Sequence, residues 1–134
     1  MVLDASALTE YLLQTQVGSG LGPMLREHSD GLAIPALCDV EVMSAMRKAI
    51  RTKRLTPERA LQATDDYLAL PLRRFGHEAT LQRIIELRDN LSAYDAAYVS
   101  LAEALGVPLV TADSHLADAV ETHLALDVVD VIRG

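Results

Sequence analysis

The chain has 134 residues, half of them hydrophobic and 23% charged, and a formal net charge of −7. These are the proportions of a soluble globular chain, expected to form one domain over residues 1–134. No apolar run approaches the roughly 20 residues that span a bilayer, and Met1 leads straight into Val2-Leu3 and Asp4 with no secretory signal expected ahead of them.

Met1–Asp4 reads as a first strand and Ala5–Leu13 as a helix with Leu8, Tyr11 and Leu12 on one side. Gly18-Ser19-Gly20-Leu21-Gly22-Pro23 reads as a turn or loop, followed by a short helix to His28. It follows a helix and lacks Gly-Lys-Ser/Thr, so it is a poor phosphate loop. Gly31–Pro35 reads as a second strand. Cys38 to about Thr52 reads as a helix, with Val42, Ala45, Met46 and Ala49 at i, i+3, i+4 and i+7. Cys38 has no cysteine to pair with, so a reducing, cytoplasmic setting is expected, and the residue reads as a small core side chain.

Thr56 as N-cap and Pro57 at the first helical position start another helix, running to about Leu68. Pro71–Phe75 is a weak strand and Glu78–Arg88 a helix. Ser92–Leu105 is the clearest helix, closed by Gly106 with Pro108 beyond it. Pro108–Thr111 reads as a strand, Ser114–Thr122 as a short helix and Leu126–Val129 as a last strand. Strands separated by helices require crossover connections, which give a mostly parallel sheet with helices on both faces: an α/β fold of three layers, α/β/α. In such sheets chemistry gathers at the carboxyl ends of the strands, where the strand order reverses.

Four acids fall at that edge. Asp4 and Asp113 follow strands, while Glu41 and Asp95 sit near the starts of helices. Each also has an ordinary role open to it. Asp4 and Asp113 can cap the helices that follow, and Asp39 can cap the next, leaving Glu41 as a first-turn acid. Ser92 to Asp95 resembles a capping box. Caps, however, need not converge on one crevice. Two carboxylates about 4 Å apart repel by about 4 kcal/mol at an effective dielectric near 20, so four together require protons or a cation. Oxygen-only ligands suit Mg²⁺ or Mn²⁺.

The charge is unevenly spread: Arg47, Lys48, Arg51, Lys53 and Arg54 lie within eight residues, and Arg73-Arg74 form a second cluster. An acidic protein with such a strip can hold a nucleic-acid strand, but the strip also reads as a solvated helix end suited to the helix dipole. The histidines, His28, His77, His115 and His123, have no metal-ligand spacing. No Trp and a single Phe leave little aromatic platform for stacking bases.

Val2-Leu3-Asp4-Ala5-Ser6-Ala7 resembles the opening of PIN-domain proteins, as does Glu41 in the helix after the second strand. Tyr94-Asp95-Ala96-Ala97-Tyr98-Val99 and Gly106-Val107-Pro108-Leu109-Val110-Thr111-Ala112-Asp113 are similar to the C-terminal half of VapC-type toxins. The resemblance implies a PIN-like α/β/α fold and an Mg²⁺- or Mn²⁺-dependent endoribonuclease, acting as a toxin restrained by a VapB-type antitoxin. It implies Asp4, Glu41, Asp95 and Asp113 as catalytic residues, with Asp4, Asp95 and Asp113 holding metal, and Ser6 and Thr111 as hydroxyls supporting them. Ser114 departs from the basic residue often found after the last acid, and Asp118 is a further acid nearby. The family commonly forms homodimers. Tyr11, Met43 and Met46 are candidates for that interface, though core packing is the preferred reading for them. A phosphatase of the haloacid-dehalogenase type would need an acid where Ser6 stands. A receiver domain would need a late lysine, whereas lysine occurs only at 48 and 53. A catalytically silent PIN-fold binding module is the remaining alternative.

Overall fold

The computed structural model describes residues 1–134. Strand β1 (Val2–Leu3) is followed by helices α1 (Ala5–Leu12), α2 (Gln16–Ser19) and α3 (Leu21–Glu27). Then come β2 (Leu32–Pro35), α4 (Leu37–Arg51), α5 (Pro57–Ala69) and β3 (Leu72–Phe75). A 3₁₀ turn (Glu78–Thr80) and α6 (Leu81–Glu86) lead to α7 (Ala93–Leu105), β4 (Leu109–Thr111), α8 (Ser114–His123) and β5 (Val128–Asp130). All strand pairings are parallel, in the order β3-β2-β1-β4-β5.

That order fixes the layers. The chain steps one way from β1 to β2 to β3, then crosses back to β4 and steps the other way to β5. Right-handed crossovers therefore put α1–α5 on one face and α6–α8 on the other. The reversal falls between β1 and β4, which pair through Val2↔Leu109 and Leu3↔Val110. Central strands covered on both faces are apolar throughout, and Val2, Leu3, Leu109 and Val110 are fully buried. Helix α7 lies against the middle of the sheet and is buried continuously from Ala96 to Ala102, which is why its apolar residues do not form a single stripe.

The helix boundaries follow local chemistry. Thr56 caps α5 by accepting from Arg59 N, with Pro57 in the first turn. Gly106 closes α7 in the left-handed region at φ 65°. The segment read as a loop, Gly18 to Pro23, is instead helical, divided between α2 and α3. Thr15 caps α2 through a bond from Gly18 N, and a Cβ on Gly18 would lie 2.0 Å from the Glu10 carbonyl oxygen. That glycine serves close packing of α2 on α1 rather than turn geometry. The last strand starts two residues later than Leu126, at Val128, and extends to Asp130. Cys38 is fully buried and its thiol is pushed up to about 11 by burial, as suits a core residue. Met46 lies in the core, and Tyr11 and Met43 pack against it, in line with the packing reading. No helix is long and apolar enough to cross a membrane.

Candidate active site

Asp4 leaves β1 at the reversal point and is only 5% exposed. It caps α1: Oδ1 accepts from Ala7 N at 2.9 Å and from the Ser6 hydroxyl at 2.6 Å. Its other oxygen, Oδ2, accepts from the Thr111 hydroxyl at 2.5 Å. Ser6 Oγ in turn accepts from Ala112 N, and Thr111 Oγ1 from Asp113 N, both at 2.9 Å. The two hydroxyl oxygens lie 3.2 Å apart. Each hydroxyl has one proton and both protons point at Asp4, so this cradle favours the ionised carboxylate. Burial nevertheless wins, raising Asp4 to about 6 against those hydrogen bonds, with the Asp113 charge adding to the rise.

Asp113 leaves β4 beside it and caps α8, its Oδ1 accepting from His115 N at 3.0 Å and Leu116 N at 3.3 Å. Asp95 sits in the first turn of α7. Its backbone N–H donates to Ser92 Oγ at 3.1 Å, and no reciprocal bond closes the capping box. Burial raises the Asp95 carboxyl, with the Asp113 and Glu41 charges pushing the same way and Ser92 opposing. Glu41 projects from the second turn of α4 and accepts at Oε1 from the Tyr98 hydroxyl, 2.5 Å away.

The structure thus places Asp4, Glu41, Asp95 and Asp113 at one sheet edge, with Asp113 in electrostatic range of both Asp4 and Asp95, and Glu41 in range of Asp95. For Asp4 and Asp113, capping and site membership coincide. Asp39 does not cap: α4 begins two residues before it, after Ala36, and its carboxylate is held by Arg74 at 3.0 Å and the Tyr67 hydroxyl at 2.7 Å. None of the ion pairs in the chain involves the four acids. No three acids are already gathered as tightly as ligands on one ion. Repulsion among like charges keeps such groups apart until a cation lies between them. An oxygen-only donor set with no lysine or arginine to neutralise it fits a hard divalent cation.

Two parts of the site lay outside the sequence reading. One is Tyr98, a buried residue three positions after Asp95, whose hydroxyl serves Glu41 from another helix. The other flanks Asp113. Asp130, at the carboxyl end of β5, accepts from Ser114 Oγ, Arg133 Nε (both 2.7 Å) and Ile132 N (2.9 Å). Burial raises the Asp130 carboxyl, but these bonds outweigh it and hold the group below its ordinary value. Arg133 also donates to the Ser114 carbonyl at 2.9 Å and to Asp118 at 2.7 Å. A cation therefore does stand beside Ser114, supplied by the C-terminus, and Asp118 is engaged with it on the exposed face of α8.

Residues 1–121 match the family model described as PIN domain. The chain is 40% identical over 119 residues to Ribonuclease VapC12 of Mycobacterium tuberculosis, covering 89% of this chain and 91% of that protein. It is 37% identical over 129 residues to Ribonuclease VapC9 of the same species, covering 96% and 98%. A crystal structure of PAE2754 from Pyrobaculum aerophilum superposes with a TM-score of 0.72 at 25% identity, over 98% of this chain and 83% of that one. This chain belongs to the PIN-domain family.

Proposed function

We propose that the protein is a divalent-metal-dependent endoribonuclease and the toxin of a VapB–VapC-type pair, built as one PIN domain over residues 1–134 and working in the cytoplasm. The observation that carries this reading is the convergence of Asp4, Glu41, Asp95 and Asp113 on the reversal point of the sheet with no cationic side chain among them. The ribonuclease names of its relatives supply the substrate class.

Asp4, Asp95 and Asp113 would hold Mg²⁺ or Mn²⁺, which when bound polarises a scissile phosphate and offsets the charge that builds on it. Ser6 and Thr111 fix the orientation of Asp4, and the first turn of α8 fixes Asp113. Glu41 has Oε1 taken by Tyr98, leaving Oε2 to orient and deprotonate the attacking water. The N-terminal ends of α4 and α7 favour an anionic substrate at this edge.

The same pocket fits an antitoxin arginine, because a guanidinium can pair bidentately with these carboxylates in place of the cation. A complex whose antitoxin tail lies away from Asp4 and Asp95 would refute that contact. Homodimerisation is supported by Leu61 and Leu68, two turns apart on α5 and 69% and 65% exposed.

The deciding experiment is RNA cleavage by purified protein with Mg²⁺ or Mn²⁺, against EDTA and against Asp4→Asn. Cleavage in the first condition alone is expected, and equal cleavage in all three overturns the proposal. Growth arrest on expression, relieved by Asp95→Asn, tests the toxin role.

A further inference from the structure

A groove of about 270 Å³ runs from the acidic edge between α1 and α4. Its upper wall contains site residues Ser6, Glu41 and Ala112, and it continues past Thr9, Glu10 and Ala45. On α4, positions 41, 45 and 48 are spaced i, i+4 and i+7 and form a ridge along one face. The ridge that begins at Glu41 and lines the groove at Ala45 therefore reaches Lys48 next. Lys48 lies about 10 Å along the helix from Glu41, and Arg51 about 15 Å.

The charge at this end is unusual for the chain. Arg47, Lys48, Arg51, Lys53 and Arg54 are all exposed. None joins an ion pair, although the chain carries 19 acids against 12 basic residues. The helix dipole accounts for Lys48 and Arg51 in the last turn of α4. It does not account for Lys53 and Arg54 beyond the helix. Lys53 also takes the left-handed turn that ends α4, at φ 58°, a position glycine fills at the end of α7. Apart from Glu41, Glu10 is the acid on the groove wall, and its carboxylate is occupied by the Thr15 hydroxyl at 2.5 Å.

We infer that the α1–α4 groove is the path of the RNA strand, and that Lys48 and Arg51 anchor its backbone a few nucleotides from the scissile phosphate. This rests on the ribonuclease reading above. The anchor is electrostatic and independent of sequence, as suits a surface with cations and no aromatic platform.

The test uses Lys48→Gln/Arg51→Gln, with Arg88→Gln as a control for loss of an exposed arginine elsewhere. Binding of a labelled single-stranded RNA of about 20 nucleotides is followed by fluorescence anisotropy in an Asp4→Asn background, so it does not depend on cleavage. The double variant is expected to bind five- to twentyfold more weakly. The slope of log affinity against log salt should fall by about 1.4, since each phosphate contact on a single strand contributes about 0.7. Arg88→Gln should match its parent, and thermal melts should show all variants folded. In the active protein the double variant should raise KM on the long RNA with kcat within twofold, and leave a trinucleotide substrate unaffected. Unchanged affinity and salt slope in the double variant overturn the anchor even if the wild type cleaves RNA. Loss of binding to a protein partner with RNA binding intact assigns the strip to that partner and overturns it as well. A wild type that binds the RNA with the predicted salt slope but never cleaves it overturns the ribonuclease reading and leaves the binding surface standing.

Discussion

The Tyr98 hydroxyl donates to Glu41 Oε1 at 2.5 Å, joining α7 to α4 across the carboxyl edge of the sheet. The two helices lie on opposite faces, so this bond ties the layer that carries Asp95 to the layer that carries Glu41. Tyr98 is 2% exposed, and burial first, then the Cys38 and Glu41 neighbours, push its hydroxyl well above the ordinary tyrosine range, so it remains a donor. Tyr98→Phe should therefore free Glu41 to swing without opening a large cavity. A hydrogen bond to a charged group is worth about 1.5–3 kcal/mol, so cleavage is expected to fall about tenfold or more. The check is a double-mutant cycle with Glu41→Gln. In that background Tyr98→Phe should cost little further activity, whereas additive losses would show that the hydroxyl acts elsewhere.

Thr111 and Ser6 divide the support of Asp4 between its two oxygens. Thr111 Oγ1 donates to Oδ2 while accepting from Asp113 N, so a single buried hydroxyl positions two of the four acids. Thr111→Val keeps the shape and leaves Asp4 Oδ2 and the Asp113 amide without that partner. It should cost about 1–3 kcal/mol in chemical denaturation and lower cleavage more than Ser6→Ala does. Ser6 is less buried than Thr111, and water can replace its hydroxyl. Equal effects of the two variants on activity would contradict this ordering.

The burial of Asp4 makes stability depend on pH in a defined direction. The folded carboxyl titrates at about 6 against 3.8 for the ordinary group. Between these values the folded chain keeps a proton that the unfolded chain has lost, so metal-free stability falls as pH rises from about 4 to about 6. The full difference corresponds to about 3 kcal/mol. Asp39 and Asp130 move the other way, and their contribution is lost only as pH falls below the ordinary carboxylate range. Urea denaturation in EDTA across pH 4 to 7, wild type against Asp4→Asn, isolates the effect. The variant should show a shallower decline, because Asp95 is raised in the same direction and remains, and its stability relative to wild type should rise through that window. Added Mg²⁺ or Mn²⁺ should restore wild-type stability above pH 6 by mass action. A wild-type advantage that grows with pH in EDTA would contradict the assignment.

Much of this arrangement was legible in the chain. Alternation of apolar runs with helical periodicity led to a parallel sheet, and parallel sheets put chemistry at their carboxyl ends, which selected Asp4 and Asp113. The capping readings of those residues were also right, because a cap at that edge faces the crevice anyway. What escaped were relations between residues far apart in sequence. Tyr98 and Glu41 are 57 positions apart; Thr111 and Asp4 are 107 apart, and Thr111 was expected beside the acids only through the family resemblance. No local period marks such pairs, since sheet order decides them. Asp39 shows the same limit: it looked like a cap, but its partners Tyr67 and Arg74 arrive from α5 and β3.

Gly18 illustrates how a residue that usually signals a turn can serve packing instead, and it yields the sharpest stability prediction. It sits inside α2, buried, where the chain passes directly over the end of α1. A Cβ there would meet the Glu10 carbonyl oxygen at 2.0 Å, its carbon at 2.3 Å and Tyr11 N at 2.6 Å. All three are backbone atoms and cannot rotate away, so Gly18→Ala must displace α2 from α1. The helix propensity of alanine, better than that of glycine by about 1 kcal/mol, works in the opposite direction. Overpacking costs about 1–3 kcal/mol and often more against backbone, so a net loss of stability is expected, measured as a lower denaturation midpoint. Gly20→Ala is the control: its Cβ would find only Val17 O at 3.5 Å, an ordinary contact, and its φ of −71° suits alanine. That variant should be neutral or slightly stabilising. Because α2 lies away from the four acids, cleavage per folded molecule should survive Gly18→Ala at temperatures well below its midpoint. If Gly18→Ala melted at or above the wild-type temperature, the close packing of α2 on α1 would be disproved.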